Sequence, residues 1–575
     1  MTFEVKPYEK RQTTKRLAIF DSETDPFRDG REVLHPFTCG FLELDTGEYV
    51  DFWGADCFGQ FLAWLRNQTD AGQRFIIYCH NFGGFDAHLG LLDHLDPGTS
   101  PTIIGGRIAS CSIMGQEFRD SYRLFPEALA DYAKDKFDYD KMEADCREQY
   151  RDEILVYQRH DCEYLGDLIR EFFNLFGDRP TIGNTAIDYM QSFHGIERMR
   201  LSQDTQVRPF FFGGRNQAFL VGVHEPRPGR RWRCYDVNRM YAWAMRNVSH
   251  PVSADMIIGQ RIWPTTAFVE WEGENAGCAA SRADDGSLDF RVTSGKFFST
   301  IHEFHLGEET GTIKPRRIIR TIGFHDWSNF AEFIDFCEAQ EAEAKATGDK
   351  IRRLFWKRLK NSAYGKFAQD PRNYERYCYS KGADGIPEFL AGPDTSPYGF
   401  TPRFVADDRI IWGRPSPSRH SGYYNVACGA SITGAARGKL FQAILAADRP
   451  AYCDTDSIVC ETLSGSTVNL SDTDLGAWKL EASGDLWVCG GKKLYALLSS
   501  DPADRLDERG DARERVPYNG RDYWCVKKAS KGARLVAQEI LKVALGGRVR
   551  YKSDRPNFKL DGSVEFIDRL IERTD

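Results

Sequence analysis

The run Tyr452-Cys453-Asp454-Thr455-Asp456-Ser457-Ile458 places two carboxylates two residues apart in a strand-like segment without proline. Side chains alternate along a strand, so this spacing predicts that Asp454 and Asp456 project from one face. Like charges held side by side repel, and a fold keeps them together where a divalent cation or a developing positive charge offsets the repulsion. The alternative is an acidic turn at a hairpin tip, which an isolated Asp-x-Asp favours. Other segments of the chain weigh against isolation.

Upstream, Arg233-Cys234-Tyr235-Asp236-Val237-Asn238-Arg239-Met240-Tyr241 follows a Gly/Pro/Arg turn and carries a further carboxylate on a strand-like stretch. Two Mg²⁺ ions roughly 4 Å apart, used to activate an attacking oxygen and stabilise a leaving one, need carboxylates from separate strands. Asp236 and Asp456 meet that requirement. Between them, Lys357-Arg358-Leu359-Lys360-Asn361-Ser362-Ala363-Tyr364-Gly365 follows a Glu/Ala/Lys-rich helical segment. On a helix Arg353, Lys357, Asn361 and Tyr364 fall on one stripe, which joins cations to an aromatic ring and suits a triphosphate with a stacked base. A basic helix is more often a solvated face, but Asn361, Tyr364 and Gly365 argue against that reading here.

The N-terminal third repeats the theme. Leu17-Ala18-Ile19-Phe20 runs into Asp21-Ser22-Glu23-Thr24, again two carboxylates on one strand face. A second apolar strand, Phe75 to His80, leads into Asn81-Phe82-Gly83-Gly84-Phe85-Asp86, and further on Tyr157 and Asp161 share a helical face at i, i+4. The predicted site gathers Asp21, Glu23, Asp86 and Asp161 around two metals, with Tyr157 orienting an attacking water.

Asp236-Val-Asn-Arg-Met-Tyr241, Lys357-x-x-x-Asn361-Ser-x-Tyr364-Gly365 and Tyr452-Cys-Asp454-Thr-Asp456-Ser resemble, in order, the A, B and C motifs of family B DNA polymerases, most closely the protein-primed, phi29-like phage branch. The N-terminal acids resemble the three motifs of DEDD-type 3′-5′ proofreading exonucleases. The implied fold class is α/β and multidomain. It joins a ribonuclease-H-like exonuclease domain (1–185) to a right-hand polymerase domain (186–575), with palm at 186–254 and 425–498, fingers at 331–369 and thumb at 499–575. The implied activity is template-directed DNA synthesis with proofreading and strand displacement, using Mg²⁺ with Mn²⁺ as a substitute.

The resemblance also assigns roles. Val237 joins Tyr241, Lys357, Asn361 and Tyr364 at the nucleotide, and Val237 counts with Asp236 and Asp456 at the metals. Thr455, Lys493, Tyr495, Arg437, Gly213 and Gly214 contact primer or template. Thr24, His80, Asn81, Phe85 and Ser121 hold a single-stranded 3′ end, Phe85 by stacking. Alternation puts Lys493 and Tyr495 on one strand face. There are departures. Arg239 replaces a small hydroxyl residue, either contacting phosphate or pointing away. Phe211 stands where a tyrosine is common, and one extra residue separates Asn81 from Asp86.

The 125 residues from Asp236 to Asn361 exceed what a palm strand and a finger helix require. Short strands with Gly/Asp turns between Trp263 and Phe304 predict an insertion, placed by the resemblance at 255–330, where the family docks a terminal priming protein. A Pro/Gly/Arg-rich stretch at 370–424 predicts a second, which in the family clamps DNA. Decorative loops are the alternative for both. Two helices joined near Thr347-Gly348-Asp349 fill the interval between them, and Val564 to Ile571 closes the chain as an amphipathic segment of a small thumb.

At 575 residues several domains are expected. The net charge of −8 is unlike a generic nucleic-acid binder, but Lys527-Lys528 with Lys531, and Arg548 and Arg550 with Lys552, supply local basic tracks. Fifteen cysteines lack zinc-ligand spacing and read as reduced core residues. No apolar signal core or membrane-length run is present. The expectation is a soluble, cytoplasmic monomer without membrane association, whose partners are DNA template and primer, dNTPs and a terminal protein. A nucleic-acid-primed relative and a catalytically silent DNA scaffold are the competing readings, the latter opposed by the intact acids at both sites.

Overall fold

The computed structural model describes residues 7–26, 34–126, 129, 137–381, 400–406, 409–416, 424–530, 532–553, 557–558 and 564–574. Lys531 and residues 382–399, 407–408 and 417–423 of the second insertion lie outside them.

Strand Arg16–Thr24 sits at the centre of the N-terminal domain because its residues are apolar on both faces: Ala18 and Phe20 enter one core, Ile19 the other. It pairs antiparallel with Pro36–Glu43 and parallel with Phe75–Cys79, within a seven-stranded mixed sheet. Helix Cys57–Asp70 covers the Phe20 side through Phe58 and Phe61, and helix Arg151–Phe176 covers the Ile19 side through Ile169 and Phe172. This is the two-faced α/β arrangement expected from the sequence.

A five-stranded antiparallel sheet runs, in order, Trp478–Gly484, Trp232–Val237, Ser457–Cys460, Tyr452–Asp454 and Asn216–Ala218. Helix Val426–Ala446 packs near it. Its small residues permit close approach, since a Cβ on Gly434 would lie 2.2 Å from Thr300 Oγ1. Helices Ala331–Ala346 and Lys350–Phe367 form the antiparallel pair expected at 331–369, joined through Gly348 at φ +74°.

The first insertion is a four-stranded antiparallel sheet, ordered Met256–Gly259, Ile313–Phe324, Thr266–Asn275 and Ser294–Thr300, with helix Ile301–Glu309. The second contributes strands Glu375–Lys381, Thr401–Ala406 and Arg409–Pro415. It rests on the N-terminal domain, where Tyr379 and Ile411 join the core of Phe82 and Phe118, and Arg409 pairs with Asp93 at 3.1 Å.

Two expected boundaries cut through elements. The 185/186 division falls inside helix Ile182–Met190, which shares a core with Phe355 and Trp356 of the fingers. The 498/499 division falls inside strand Leu494–Ser499, part of a C-terminal sheet with Leu486–Gly491, Arg521–Ser530, Arg515–Tyr518 and Gly222–His224. Val564–Glu565 and Asp568–Ile571 are short strands. Among the described residues no helix is long and apolar enough to cross a membrane, and every cysteine except Cys146 and Cys525 is buried.

Candidate active sites

Strand alternation builds the N-terminal site. Asp21 and Glu23 continue the face of Ile19, toward the helix that presents Asp161 and, one turn earlier, Tyr157. One ligand atom from each of Asp21, Glu23 and Asp161 lies within 4.8 Å of the other two. The Tyr157 hydroxyl lies 3.0 Å from that of Tyr139, and burial together with Glu23 and Asp161 pushes its pKa well up, so it stays a neutral donor.

Asp86 does not join this trio. Ser22, on the opposite strand face, donates to Asp86 Oδ1 at 2.6 Å, and burial pushes the Asp86 carboxyl up to about 7. The expected four-acid site is therefore three acids with a fourth held across the strand. The segment with the extra residue forms two 3₁₀ turns, Phe82–Gly84 and Asp86–Leu89. Asp120, missed in the sequence, fixes that segment by accepting from the N–H groups of Phe82 at 3.2 Å and Gly83 at 3.3 Å.

The expected single-strand contacts divide into two groups. Asn81, at φ +62°, accepts from Arg107 at 3.3 Å, and Phe85 is half-buried between the two turns. His80 meets Ser121 Oγ at 3.1 Å and stacks on Phe125 at 5.7 Å. Ser121 itself is fully buried and donates to the Cys79 carbonyl, so it orients His80 instead of presenting a surface. Thr24 is likewise buried, its hydroxyl donating to the Asp25 carbonyl at 3.1 Å.

In the second site the alternation argument fails locally. Asp454 ends one strand, Thr455 and Asp456 form a two-residue turn with Thr455 at φ +60°, and Asp454 pairs with Ser457. The acids thus occupy a hairpin tip, the alternative geometry, yet company makes the tip more than a surface turn. The Val237 N–H donates to the Asp456 carbonyl at 2.8 Å, which sets this tip against Asp236. Burial, Asp456 and Glu481 together push the Asp236 carboxyl up to about 7. Burial, then Asp454 and Glu481, raise Asp456 as well. The Val237 side chain is in the core, so any contact from it to nucleotide or metal comes from its backbone.

Glu481 and Lys527 were not legible as site residues. They form an ion pair beside Asp236, on strands that the sequence does not pair with it. Lys493 is also not on a strand. It occupies a turn at φ +59°, donates its N–H to the Tyr452 hydroxyl at 2.9 Å, and pairs with Asp454 Oδ2 at 2.8 Å. Tyr495 lies in the core, its ring centroid 4.8 Å from Tyr452.

Gly214 meets the hairpin directly, whereas the Gly213 carbonyl faces Arg437. Thr455 N–H donates to the Arg215 carbonyl at 2.6 Å, and a Cβ on Gly214 would fall 2.6 Å from Thr455 Oγ1. Arg437, expected at DNA, is instead a buried strut. It pairs with Glu303 at 2.7 Å and donates to the carbonyls of Phe212 and Gly213 at 2.6 and 3.0 Å. Lys357 is exposed and Asn361 half-buried on the fingers helix, and Tyr364 stacks on Tyr241 with centroids 3.9 Å apart. Arg239 reaches helix Ala331–Ala346, pairing with Glu338 at 2.7 Å.

Three paired or grouped acids at each centre, with cations and rings beside the second, are what phosphoryl transfer through divalent metals requires. Residues 134–268 and 297–390 match the family model described as DNA polymerase type B, organellar and viral. The chain is 42% identical over 573 residues to the DNA-directed DNA polymerase of Enterobacteria phage PRD1, covering 98% of this chain and 99% of that protein. Its fold is similar to Phi29 DNA polymerase complexed with primer-template DNA and incoming nucleotide substrates, at TM-score 0.68 and 17% identity, covering 97% of this chain and 100% of the other. Phi29 DNA polymerase complexed with single-stranded DNA matches at TM-score 0.67, 17% identity and the same coverage.

Proposed function

The chain belongs to the type B DNA polymerases and is a DNA-directed DNA polymerase, and from that premise we propose that Asp236 and Asp456 carry polymerisation while Asp21, Glu23 and Asp161 carry 3′-5′ proofreading. The observation that supports this most is the pair of raised carboxyls at Asp236 and Asp456, which repel each other and Glu481 in a partly buried site. Such acids suit divalent cations, which stabilise them, and the same holds for the three ligand atoms within 4.8 Å in the N-terminal site. Mg²⁺ at these residues supplies charge neutralisation of phosphate and a more acidic attacking hydroxyl.

The remaining steps belong to the side chains. Lys357 and Asn361 meet the incoming dNTP from the fingers, and the Tyr241 and Tyr364 rings wall its sugar. Lys493, tied to Asp454, places its charge beside the primer terminus. In the N-terminal site Tyr157 donates to the attacking water, while Asn81, His80 and Phe85 hold the single-stranded 3′ end. The first insertion is the docking site for a priming protein whose side-chain hydroxyl replaces the primer 3′-OH. The second, seated on the exonuclease domain, encloses DNA during strand displacement.

Chelation is expected to stop both extension and shortening, with Mg²⁺ restoring each. Asp236→Asn is expected to lower extension on the order of 10³-fold while leaving shortening of single-stranded DNA within about twofold. Equal loss of both activities would refute the assignment of separate centres.

A further inference from the structure

Arg239 follows the catalytic Asp236 by three residues and holds a left-handed backbone, φ +57°, at the start of helix Met240–Asn247. One end of its guanidinium donates to Glu338 Oε2 at 2.7 Å and the other to the Thr473 carbonyl at 2.9 Å. Glu338 lies on the first fingers helix. Its second oxygen accepts from Lys360 Nζ at 2.6 Å, and Lys360, on the second fingers helix, has a fully buried side chain that also pairs with Glu341. Arg353 reaches Glu341 at 3.7 Å. A continuous row of alternating charges thus leads from the segment carrying Asp236 into the interior of the helix pair that carries Lys357 and Asn361.

A buried lysine needs its anionic partners, so the position of Glu338 is constrained from inside the fingers by Lys360 and from the palm by Arg239. The same segments also meet through the Tyr241–Tyr364 stack two residues along, on the second helix, and through Arg246, which pairs with Asp335 on the first at 2.5 Å. Of these contacts, the Arg239–Glu338 pair is held on both helices at once, because Glu338 also binds Lys360 of the second, so it couples the tilt of the pair to the segment carrying Asp236. Resting on the polymerase reading above, we propose that Arg239 is a positioning residue for nucleotide selection: through Glu338 it holds the fingers at the tilt that presents Lys357 and Asn361 to the incoming triphosphate, without itself touching phosphate.

The test measures single-nucleotide incorporation on a recessed primer with the full chain. Arg239→Ser and Glu338→Gln are each expected to raise the dNTP KM about fivefold with kcat changed less than about twofold, and the double variant to be no worse than either alone. Arg239→Lys, which keeps a cation beside Glu338 and leaves Lys360 its partner, is expected to recover at least half of the loss seen in Arg239→Ser. Shortening of single-stranded DNA reports on folding and is expected to stay at wild-type values in both single variants; the thermal midpoint is expected to stay so in Arg239→Ser and to fall in Glu338→Gln, which leaves Lys360 with Glu341 alone. A Glu338→Gln enzyme with normal or lowered KM beside a defective Arg239→Ser would overturn the proposal in favour of direct phosphate contact. Additive losses, or wild-type KM in both single variants, would also overturn it. Loss of incorporation in Asp236→Asn but not in Arg239→Ser keeps failure of this inference distinct from failure of the polymerase assignment.

Discussion

Asp236 is half-protonated near neutral pH without metal, because burial and the carboxylates of Asp456 and Glu481 push it up to about 7. In the unfolded chain an aspartate titrates near 4. Between those values the folded protein holds the extra proton, so this group's contribution to stability falls as pH rises through the window. Asp236→Asn is therefore expected to raise the thermal midpoint in chelator, more at pH 8 than at pH 5, although it is expected to lower extension on the order of 10³-fold. A pH-independent difference would contradict the repulsion. Tyr241 makes a second residue-scale case. Its ring is pinned by Tyr364 at 3.9 Å, which suits a steric wall against a ribose 2′-OH. Tyr241→Val is expected to incorporate ribonucleotides at least about tenfold more efficiently than the wild type, measured as a ratio of kcat/KM values. An unchanged ratio would place sugar selection elsewhere.

At the scale of elements, the motif C hairpin depends on what its neighbours leave out. A Cβ on Gly214 would collide with Thr455 Oγ1 and Cγ2, at 2.6 and 2.8 Å, so Gly214→Ala must push the turn that carries Asp456. Extension is expected to fall about tenfold or more, with partial recovery in Gly214→Ala combined with Thr455→Gly, while the N-terminal site continues to shorten single strands. The same turn shows how far periodicity reaches. Alternation correctly placed Asp21 and Glu23, which lie inside a nine-residue strand, and it equally explains why Ser22 draws Asp86 to the other face. It misplaced Asp454 and Asp456, and Lys493 with Tyr495, because Thr455 and Lys493 adopt positive φ, which side-chain patterning does not reveal for a β-branched or long residue. The helix pair Ala331–Ala346 and Lys350–Phe367 was legible because helical composition and a Gly turn are local features. Glu481, Lys527 and the Arg437–Glu303 strut were not, since they depend on which distant strands and helices meet.

For the whole molecule, strands Glu375–Lys381 and Arg409–Pro415 seat a distant part of the chain on the N-terminal sheet. Tyr379 is buried with the exonuclease core, and its backbone exchanges hydrogen bonds with Gly98 and Thr99 at 3.0 and 3.1 Å. Tyr379→Ala removes a buried ring, a change that typically costs about 3–5 kcal/mol. It is expected to release this seat, shortening products on a strand-displacement template more than on a single-stranded one. Equal shortening on both would point to general destabilisation. The fold class followed from the motifs and the resemblance they carry, while two expected divisions fall within helix Ile182–Met190 and strand Leu494–Ser499, whose packing spans them. The central claim is that two separate acidic centres perform opposed reactions on one DNA end. It is tested most directly by incubating the chain with a recessed-primer duplex, Mg²⁺ and dNTPs beside Asp456→Ala and Asp21→Ala, and following products longer and shorter than the primer. Extension lost only in Asp456→Ala and shortening lost only in Asp21→Ala is the expected result; loss of both activities in either variant, or neither activity in the wild type, would contradict it.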